Sequence, residues 1–481
     1  MLLSRLLSKT QTIRLVNFAD VEISGVYNDS GQVKSGGLFI CQKGCRFDGH
    51  DFAAAAVKNG AVCVVAEREL PLTVPVVVVP DARAAEADIA AEFYGRAAEK
   101  LKIICVVGTN GKTSTAFITE KILSSAGKKT ALISTNGIYI LGEYRPNEMT
   151  TPRTLTLHRL FAEMAEKGVE YCVMEMSAHA IALDKLRGVT AELAVFTNFS
   201  RDHLDYFGDM ESYRGVKKSF FTSAHARAAV LNADDETGRQ IARETDLPFV
   251  TYGIDNPADA FAVNVDCEGE KTSYFLNVYD EVEPVNSALT GRFNVYNTLA
   301  AATACRVLGI KPHDISHGIS EIKFIEGRCQ TVVFAKGFRV VVDYAHTPDG
   351  IKNVLAHLKA STFGRLIVVY GCGGERDKTK RPLMGEAVSE YADYAFVTTD
   401  NPGGEDPFEI MFQTEKGLSV AHRLVCDRRA AITGAVYMAE KDDVVAVLGK
   451  GHEKYQEING AKYPFGDMDV VLELAGKDSA R

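Results

Sequence analysis

The residues best suited to chemistry form a glycine-rich loop. The apolar segment 103–107 leads into Gly108-Thr109-Asn110-Gly111-Lys112-Thr113-Ser114, and a helical pattern follows over 115–126. A strand, a glycine loop and a helix form a phosphate cradle, because backbone N–H groups and the helix N-terminus face the anion. Lys112 would contact the β- and γ-phosphates, and the Thr113 hydroxyl would coordinate Mg²⁺. Val106 replaces the first glycine of the general GxxxxGK[ST] pattern, so a plain turn that opens a helix is the alternative; the GKT triplet favours nucleotide binding.

The elements around this loop alternate between β-branched runs and alanine-rich helical stretches. Apolar runs of this kind, separated by helices, are typical of parallel sheets that are covered on both faces. The predicted strands are 61–66, 75–79, 103–107, 171–176, 339–343, 366–370, 394–398 and 444–448. The polar segment 255–290 has strand-like alternation, which predicts antiparallel strands there. The predicted fold class is therefore α/β.

The length of 481 residues predicts about three domains. An N-terminal domain would cover 1–95 and end in a helix over 83–98. A central domain over 96–324 would begin with the strand that feeds the glycine loop. A C-terminal domain over 325–481 would contain a second α/β series.

The composition limits the class of protein. Hydrophobic residues make up 46% and charged residues 24% of the chain, which excludes a disordered chain, a collagen and a small disulfide scaffold. The chain has 54 Lys and Arg against 63 Asp and Glu, a net charge of −9. This balance argues against nucleic acid as the main partner, while a local basic pocket can still bind small anions.

The cysteines and the N-terminus indicate a cytoplasmic protein. Most of the ten cysteines stand singly in apolar runs, and only Cys41 and Cys45 are close, without a CxxC pair. We expect buried free thiols in a reducing compartment. Arg5 and Lys9 interrupt the leucines at the N-terminus, which favours an amphipathic first helix over a signal peptide. No apolar run of about 20 residues is present, so no membrane insertion is expected.

A series of further motifs extends from residue 148 to residue 456. Together with the phosphate loop GTNGKTS, this series resembles the Mur ligase family. The motifs are EMTTP (148–152), EMSAHAI (175–181), TNFSRDHLDY (197–206), TGRFNVYNT (290–298), VDYAHTP (342–348), YGCGGERDKTKRPLM (370–384), DNPGGEDP (400–407) and GKGHEKYQ (449–456). The set is most similar to the MurE branch, which adds the third peptide residue. The resemblance implies a three-domain Mur ligase architecture, with a P-loop central domain and a Rossmann-like C-terminal domain.

The resemblance also implies a reaction. ATP would phosphorylate the D-glutamate side carboxylate of UDP-N-acetylmuramoyl-L-alanyl-D-glutamate, and the amine of a diamino acid would attack the acyl phosphate. Such a ligase of peptidoglycan precursor synthesis needs Mg²⁺, here two ions, and lysine charge to bring two anions together. We expect it to act as a monomer.

The resemblance assigns roles to individual residues. Lys112, Glu175, His203 and Lys217 would be catalytic. Thr113, Glu175, His203 and Lys217, the last as a CO₂-derived carbamate, would bind metal. Lys218 is the neighbour that could be confused with Lys217, and we expect it in a surface salt bridge.

The ligand contacts follow from the same resemblance. ATP would contact Gly108, Thr109, Asn110, Gly111, Lys112, Thr113, Ser114, Asn294, Asn297, Arg328, Asp343 and His346. The UDP-linked substrate would contact Asp29, Ser30, Asp48, His50, Thr150, Thr151, Ser177, Lys185 and Arg187. Gly31 replaces an Arg and Ala178 replaces a Ser of the family pattern, and Arg187 could take the place of an Arg expected near Lys185.

The added amino acid would contact Arg376, Asp400, Asn401, Glu405, Gly449 and Glu453. Diaminopimelate enzymes typically have DNPR, in which the Arg grips a carboxylate, whereas this chain has Gly403 at that position. The missing Arg favours lysine or another amino acid, with Glu405 and Glu453 able to receive amines. The frequency of diaminopimelate among bacteria favours the opposite, and the sequence leaves both open.

Three other functions are compatible with parts of the pattern. Folylpolyglutamate synthase has a similar phosphate loop, but the complete GERDKTKRPLM and GHE motifs argue against it. A catalytically degenerate Mur-like binding subunit is suggested by Gly31, Ala178 and Gly403, and opposed by the intact Lys112 and Glu175. A P-loop NTPase that couples ATP to motion would hydrolyse ATP without an amino acid.

Overall fold

The computed structural model describes residues 1–44, 47–267, 269 and 271–479. The helices are α1 (Leu3–Leu6), α2 (Ala53–Lys58), α3 (Ala82–Phe93), α4 (Lys112–Ser125), α5 (Thr154–Glu166), α6 (Ala178–Ala182), α7 (Leu204–Phe207), α8 (Met210–Ser219), α9 (Glu236–Glu244), α10 (Arg292–Val307), α11 (Pro312–Ser320), α12 (Pro348–Ala360), α13 (Lys380–Ser389), α14 (Pro407–Glu415), α15 (Arg428–Met438) and α16 (Asp467–Ser479). No helix in these ranges is long and apolar enough to cross a membrane.

The strands are β1 (Arg14–Val16), β2 (Gly25–Tyr27), β3 (Gly37–Ile40), β4 (Ala61–Ala66), β5 (Val76–Val78), β6 (Lys102–Val107), β7 (Thr130–Ser134), β8 (Gly137–Ile140), β9 (Glu143–Arg145), β10 (Tyr171–Met176), β11 (Leu193–Phe196), β12 (Ala229–Asn232), β13 (Phe249–Gly253), β14 (Ala260–Asp266), β15 (Thr272–Val278), β16 (Glu281–Ser287), β17 (Gln330–Val333), β18 (Arg339–Asp343), β19 (Leu366–Tyr370), β20 (Tyr394–Val397), β21 (His422–Leu424), β22 (Val444–Leu448), β23 (Tyr455–Ile458) and β24 (Ala461–Pro464). Each predicted strand is present, within two residues of its predicted ends.

The chain divides into two compact units. The first comprises Met1–Cys105, Lys129–Ala194 and Thr222–Ala228, and the second Val106–Lys128, Val195–Phe221 and Ala229–Arg481.

The first unit contains a five-stranded sheet in the order β1-β5-β4-β3-β2, parallel except for β1. Leu3 and Leu6 of α1 are buried in its core, as the amphipathic pattern predicted. The alanine-rich helix predicted to reach residue 98 ends at Phe93, because Gly95 and Arg96 both take positive φ angles. In the same unit β10 runs parallel to β7, and Glu175 lies near the carboxyl end of β10.

The second unit contains the predicted antiparallel segment. β14 pairs with β15 and β15 with β16, both antiparallel, while β13 joins β14 in parallel. The amphipathic alternation of a sheet with one solvated face explains why this segment reads as polar.

The last sheet of the second unit has the order β17-β18-β22-β19-β20-β21 and is parallel except for β17. Helices α12, α13 and α14 cover one face, and α15 and α16 cover the other. Strands buried on both faces must be apolar along their whole length, as β19 and β22 are. The carboxyl ends of β18, β19, β20 and β22 lead into the motif-bearing loops, where ligand sites of α/β sheets collect.

Candidate functional site

The glycine loop of the second unit has the geometry of a phosphate cradle. Gly111 caps α4 with a φ of 80°, which favours glycine. A Cβ on Gly108 would lie 1.8 Å from the Thr197 hydroxyl oxygen, so this position accepts only glycine. The first N–H groups of α4 have no carbonyl within their own helix to bond, so an anion at the N-terminus of α4 could accept from them.

Two cationic side chains, Lys112 and Arg328, contact this loop. The Lys112 Nζ donates to the carbonyl oxygens of Gly108 (3.0 Å) and Thr109 (2.7 Å). An Arg328 Nη2 donates to the Thr113 hydroxyl at 2.8 Å. These donors fit the phosphates of ATP, and Thr113 offers an oxygen to Mg²⁺. Within the described residues, no three His, Cys, Asp or Glu side chains group to hold a metal alone.

A loop formed by residues 197–203, which we call the bracing loop, supports the phosphate loop. The Thr109 N–H donates to the Asn198 carbonyl and the Asn110 N–H to the Asn198 side-chain oxygen, both at 2.9 Å. The Thr109 hydroxyl donates to the Ser200 carbonyl at 3.2 Å. These hydrogen bonds to the bracing loop thus hold the backbone of the phosphate loop in place.

His203 ends the bracing loop in a left-handed conformation, with a φ of 54°. Its Nε2 lies 3.4 Å from an oxygen of Asp202, and the Nε2 of His346 lies 3.9 Å from the same oxygen. Burial raises the pKa of Asp202, but the charges of Lys380 and of both histidines outweigh it and hold that pKa well below its usual range.

Lys217 and Lys218, adjacent on α8, have opposite environments. Lys217 is buried, its Nζ 4.6 Å from the Tyr213 ring centre, whereas Lys218 forms a surface ion pair with Glu244 at 2.7 Å. Burial and the charge of Lys112 lower the pKa of Lys217 well below its usual value. A neutral amine is the form that reacts with CO₂, so Lys217 has the required chemistry and Lys218 is the predicted surface pair.

Asn294 and Asn297, which are predicted to contact ATP, are buried and form a hydrogen bond with each other. The Asn294 side-chain NH₂ donates to the Thr290 carbonyl, and the Asn297 NH₂ donates to the Asn294 side-chain oxygen at 3.0 Å. The Asn297 side-chain oxygen accepts from the Thr115 hydroxyl at 3.4 Å. Asn297 therefore connects α10 to the helix of the phosphate loop, and Asn294 holds the Asn297 side chain in place.

Asp343 is the last residue of β18, and His346 lies in the loop that follows. Asp343 accepts hydrogen bonds from the N–H groups of Cys329 and Ala345, both at 2.7 Å. Burial raises the pKa of Asp343, and the nearby Arg328 opposes this. The His346 Nδ1 donates to the Tyr344 carbonyl at 2.8 Å, which leaves Nε2 for another partner.

The residues predicted for the amino acid lie at the carboxyl ends of β19, β20 and β22. Asn401 accepts from the buried Lys450 at 2.8 Å and donates to Glu453 at 2.9 Å. A Cβ on Gly449 would lie 2.5 Å from an oxygen of Asp400, so the absence of a side chain lets these loops meet. Arg376 is exposed and has no ion-pair partner among the described residues.

Glu405 and Glu453, predicted to be able to receive a substrate amine, each lie beside a cationic side chain of the protein. Arg381 donates two hydrogen bonds to Glu405, at 3.0 and 3.1 Å, and holds its pKa at about 2. Lys450 donates to Glu453 at 2.7 Å. The contact of either carboxylate with a substrate amine stays a prediction.

In the first unit, five predicted residues gather around the end of β10. Glu175 accepts from the Thr135 N–H at 2.7 Å and from its hydroxyl at 3.2 Å. The Thr151 hydroxyl donates to the Glu175 carbonyl and accepts from the Ser177 N–H. The Thr135 hydroxyl can at the same time accept from the Thr150 hydroxyl, whose oxygen lies 3.0 Å away.

Lys185 completes this cluster by donating to the Thr151 carbonyl at 2.8 Å. Burial, with the charge of Arg153, lowers the pKa of Lys185 to about 8. Arg187 instead lies near Asp184 and Asp88, at 3.6 and 3.9 Å. Lys185 is therefore the cation next to the threonine pair.

The residues predicted for the uridine side shape two turns. Asp29 accepts from the Gly31 N–H at 2.9 Å and Ser30 accepts through its carbonyl from Asn59. The His50 Nδ1 donates to Asp48 at 2.5 Å, and its Nε2 accepts from the Glu67 N–H at 3.0 Å. Both ring nitrogens of His50 have protein partners, so this residue holds the turn in place.

The comparisons with known proteins agree with this geometry. Three family models match: "Mur ligase family, catalytic domain" over 22–94, "Mur ligase middle domain" over 106–305 and "Mur ligase, glutamate ligase domain" over 327–451. The UDP-N-acetylmuramoyl-L-alanyl-D-glutamate--2,6-diaminopimelate ligase of Halalkalibacterium halodurans is 42% identical over 478 residues, 98% of each chain. The enzyme of that name from Bacillus velezensis is 41% identical over 473 residues, 96% of each. The chain belongs to the Mur ligase family.

Solved structures of Mur ligases show that this chain has the Mur ligase fold. A structure of UDP-N-acetylmuramoyl-L-alanyl-D-glutamate--2,6-diaminopimelate ligase is 32% identical with a TM-score of 0.68, over 95% of each chain. MurF from Acinetobacter baumannii shares the fold at 20% identity and a TM-score of 0.70, over 98% of each chain. The chain is thus an ATP-dependent ligase with the three-domain α/β Mur ligase fold, in a family that requires Mg²⁺.

Several residues of this Mur ligase site were missed from the sequence. Thr135, Asp202, Arg381 and Lys450 contact predicted residues in the structure, and Lys380 contacts Asp202. Asp202, Lys380, Arg381 and Lys450 lie inside the quoted motifs, which was the available signal. Thr135 lies outside every motif, and only the pairing of β7 with β10 brings it to Glu175. Cys45, noted near Cys41, lies outside the described residues.

Proposed function

We propose that this Mur ligase adds the third amino acid to UDP-N-acetylmuramoyl-L-alanyl-D-glutamate. The observation that carries the proposal is the end-to-end match to two ligases named for that substrate. The phosphate loop with Lys112 and Arg328 supports it, because the reaction must bring an anionic nucleotide to an anionic carboxylate.

The residue roles follow from the chemistry. A carboxylate is a poor electrophile, and transfer of the γ-phosphoryl group gives an acyl phosphate that an amine can attack. Lys112 and Arg328 would neutralise the transferred phosphoryl group. Mg²⁺, when bound, would further stabilise that charge. Thr113 and His203 are its proposed ligands in the second unit, and Glu175 is a proposed ligand in the first.

Lys217 is proposed to carry a carbamate. Its buried amine would attack CO₂ and release a proton, giving an anion that supports the metal. The lowered pKa of Lys217 and the surface pairing of its neighbour Lys218 favour this assignment.

The UDP-linked substrate is proposed to bind the first unit. Lys185, with Thr150, Thr151 and Ser177, would hold a carboxylate of the peptide. The uridine part of the substrate would contact the turn at Asp29 and Ser30 and the turn at Asp48, which His50 holds in place. Arg187 would contact the edge of the bound substrate.

The names of the relatives favour 2,6-diaminopimelate as the added amino acid. Arg376, exposed and without an ion-pair partner among the described residues, would bind one of its carboxylates. Asp400, Asn401 and Gly449 would line this pocket. Glu405 and Glu453 would hold Arg381 and Lys450 in place.

A diamino acid that ends in an amine is the second candidate, and Gly403 favours it. A Cβ built on Gly403 would lie 3.3 Å from the side-chain carboxyl carbon of Glu375. A negative charge therefore lies where diaminopimelate enzymes typically place an Arg. Lysine or ornithine would suit that charge better than a second carboxylate.

The test is phosphate release from ATP and Mg²⁺ with the UDP-linked dipeptide, in parallel with meso-diaminopimelate, L-lysine, L-ornithine or no amino acid. Release only with diaminopimelate would support the first candidate, and release only with lysine or ornithine the second. Release without an amino acid, or none in any reaction, would contradict the proposed function.

The remaining expectations are proposals with simple tests. Domains over 1–95, 96–324 and 325–481 predict proteolytic cleavage near the two boundaries. A monomer would elute from size exclusion with the light scattering of one 52.4 kDa chain. The absence of nucleic-acid binding would appear as no shift of labelled DNA or RNA.

A further inference from the structure

A buried ion pair joins two distant segments of the second unit. The Lys380 Nζ lies 3.2 Å from an oxygen of Asp202, although 178 residues separate them in sequence. Asp202 belongs to the bracing loop, and Lys380 is the first residue of α13. Both side chains are buried, with exposures of 7% and 8%. A charge in such a place depends on its partner, because water cannot replace it.

A second ion pair lies beside the first. The Arg201 Nε lies 3.3 Å from an oxygen of Asp377, and Arg201 also donates to the Thr379 hydroxyl. Segment 377–380, which we call the arm, therefore contacts two consecutive residues of the bracing loop. Two adjacent pairs fix the orientation of that loop as well as its position.

The bracing loop carries this contact to the phosphate loop. Asn198 accepts from the N–H groups of Thr109 and Asn110, and Ser200 accepts from the Thr109 hydroxyl. Only a few residues of one short loop thus separate the Asp202 carboxylate from the backbone that would hold the phosphates. A shift of the arm would move the bracing loop and, through it, the phosphate loop.

We propose that Lys380 is a positioning residue that acts through Asp202 on the phosphate loop. It orients the bracing loop so that Lys112 and the N-terminus of α4 face the phosphoryl group undergoing transfer. The kinetic part of the inference rests on the proposed function. The structural part concerns this chain alone and can be tested without substrate.

The kinetic test compares Lys380→Met, Asp202→Asn and the double variant. Each single variant should lower kcat on the order of 100-fold, because small misplacement of reacting groups has effects of that size. The KM for ATP should change less than about threefold, since the N–H groups of the loop remain. The double variant should lose about as much as either single one, because the two residues act as a unit.

Lys380→Arg keeps the charge and should retain most of the wild-type kcat. Lys352→Met is the matched control, because Lys352 of α12 forms an exposed pair at 2.7 Å with Glu390, which directly follows α13, and should leave kcat unchanged. Losses that multiply in the double variant would overturn the inference, as would an effect on the KM for ATP alone.

The substrate-free test is hydrogen exchange of the full chain. In Lys380→Met, amides of 108–111 and of the bracing loop should exchange on the order of tenfold faster, because their local opening costs less. Exchange in β19 and β22 should stay at its wild-type rate. Unchanged exchange at 108–111, or equal acceleration throughout the last sheet, would overturn the inference. If the wild-type chain releases no phosphate, the proposed function fails while this measurement still decides the inference.

Discussion

Arg428 and Asp467 form a fully buried ion pair at the start of α15 and α16. Two hydrogen bonds of 2.6 and 2.7 Å join the guanidinium to the carboxylate, and neither side chain is exposed. Arg428 also donates to the carbonyls of Leu448 (2.9 Å) and Thr399 (3.2 Å). The pair therefore ties two helices to the ends of β20 and β22, where the candidate amino-acid site lies.

Replacing Arg428 with Met should destabilise this part of the second unit strongly. Asp467 would remain as an uncompensated buried charge, a change that typically costs about 3–5 kcal/mol. For a domain of roughly 150–250 residues, this corresponds to a fall in Tm of roughly 6–20 °C. Arg429→Met is the matched control, because Arg429 pairs with Glu473 at 2.7 Å on the surface and exposed pairs contribute little.

The assay is thermal unfolding followed by circular dichroism, on the wild type and both variants at one protein concentration. Arg428→Met combined with Asp467→Leu should recover part of the lost Tm, because the isolated charge is then removed. A Tm for Arg428→Met equal to that of Arg429→Met would refute the reasoning. So would a double variant that is less stable than Arg428→Met alone.

Three other changes have outcomes that the structure predicts. Lys217→Met should lower phosphate release on the order of 100-fold, through loss of charge stabilisation at the metal, whereas Lys218→Met should not; equal losses would contradict the assignment. Because the pKa of Lys185 is lowered to about 8, its amine is charged below that pH and neutral above it. The KM for the UDP-linked substrate should therefore rise between pH 7 and 9, and Lys185→Arg should flatten that rise. A wild-type KM that stays constant over this pH range would be evidence against a role for the Lys185 charge in binding. Gly108→Ala should abolish ADP binding measured by calorimetry, since its Cβ would lie 1.8 Å from the Thr197 hydroxyl oxygen, and wild-type affinity would disprove the steric argument.

Much of the fold was predictable because burial leaves a direct mark on the sequence. A strand covered on both faces must be apolar throughout, and β19 and β22 were located for that reason. The end of α3 was predicted too late, because Ala97 and Ala98 continue the alanine-rich pattern. Because alanine has high helix propensity, the alanine-rich pattern continues past the residues that end the helix. Gly95 and Arg96 end it through their positive φ angles, which the pattern does not reveal.

The sequence by itself determined the order of the strands and helices and the motifs at the strand ends, because periodicity and residue type are local properties. It separated Lys217 from Lys218 only by resemblance, since the packing of α8 decides which amine loses water. It assigned Glu405 and Glu453 to a ligand, but it did not show that Arg381 and Lys450 donate hydrogen bonds to them. Electrostatic interactions depend on distance and burial, and only the tertiary structure decides these for residues as far apart in the chain as Asp202 and Lys380.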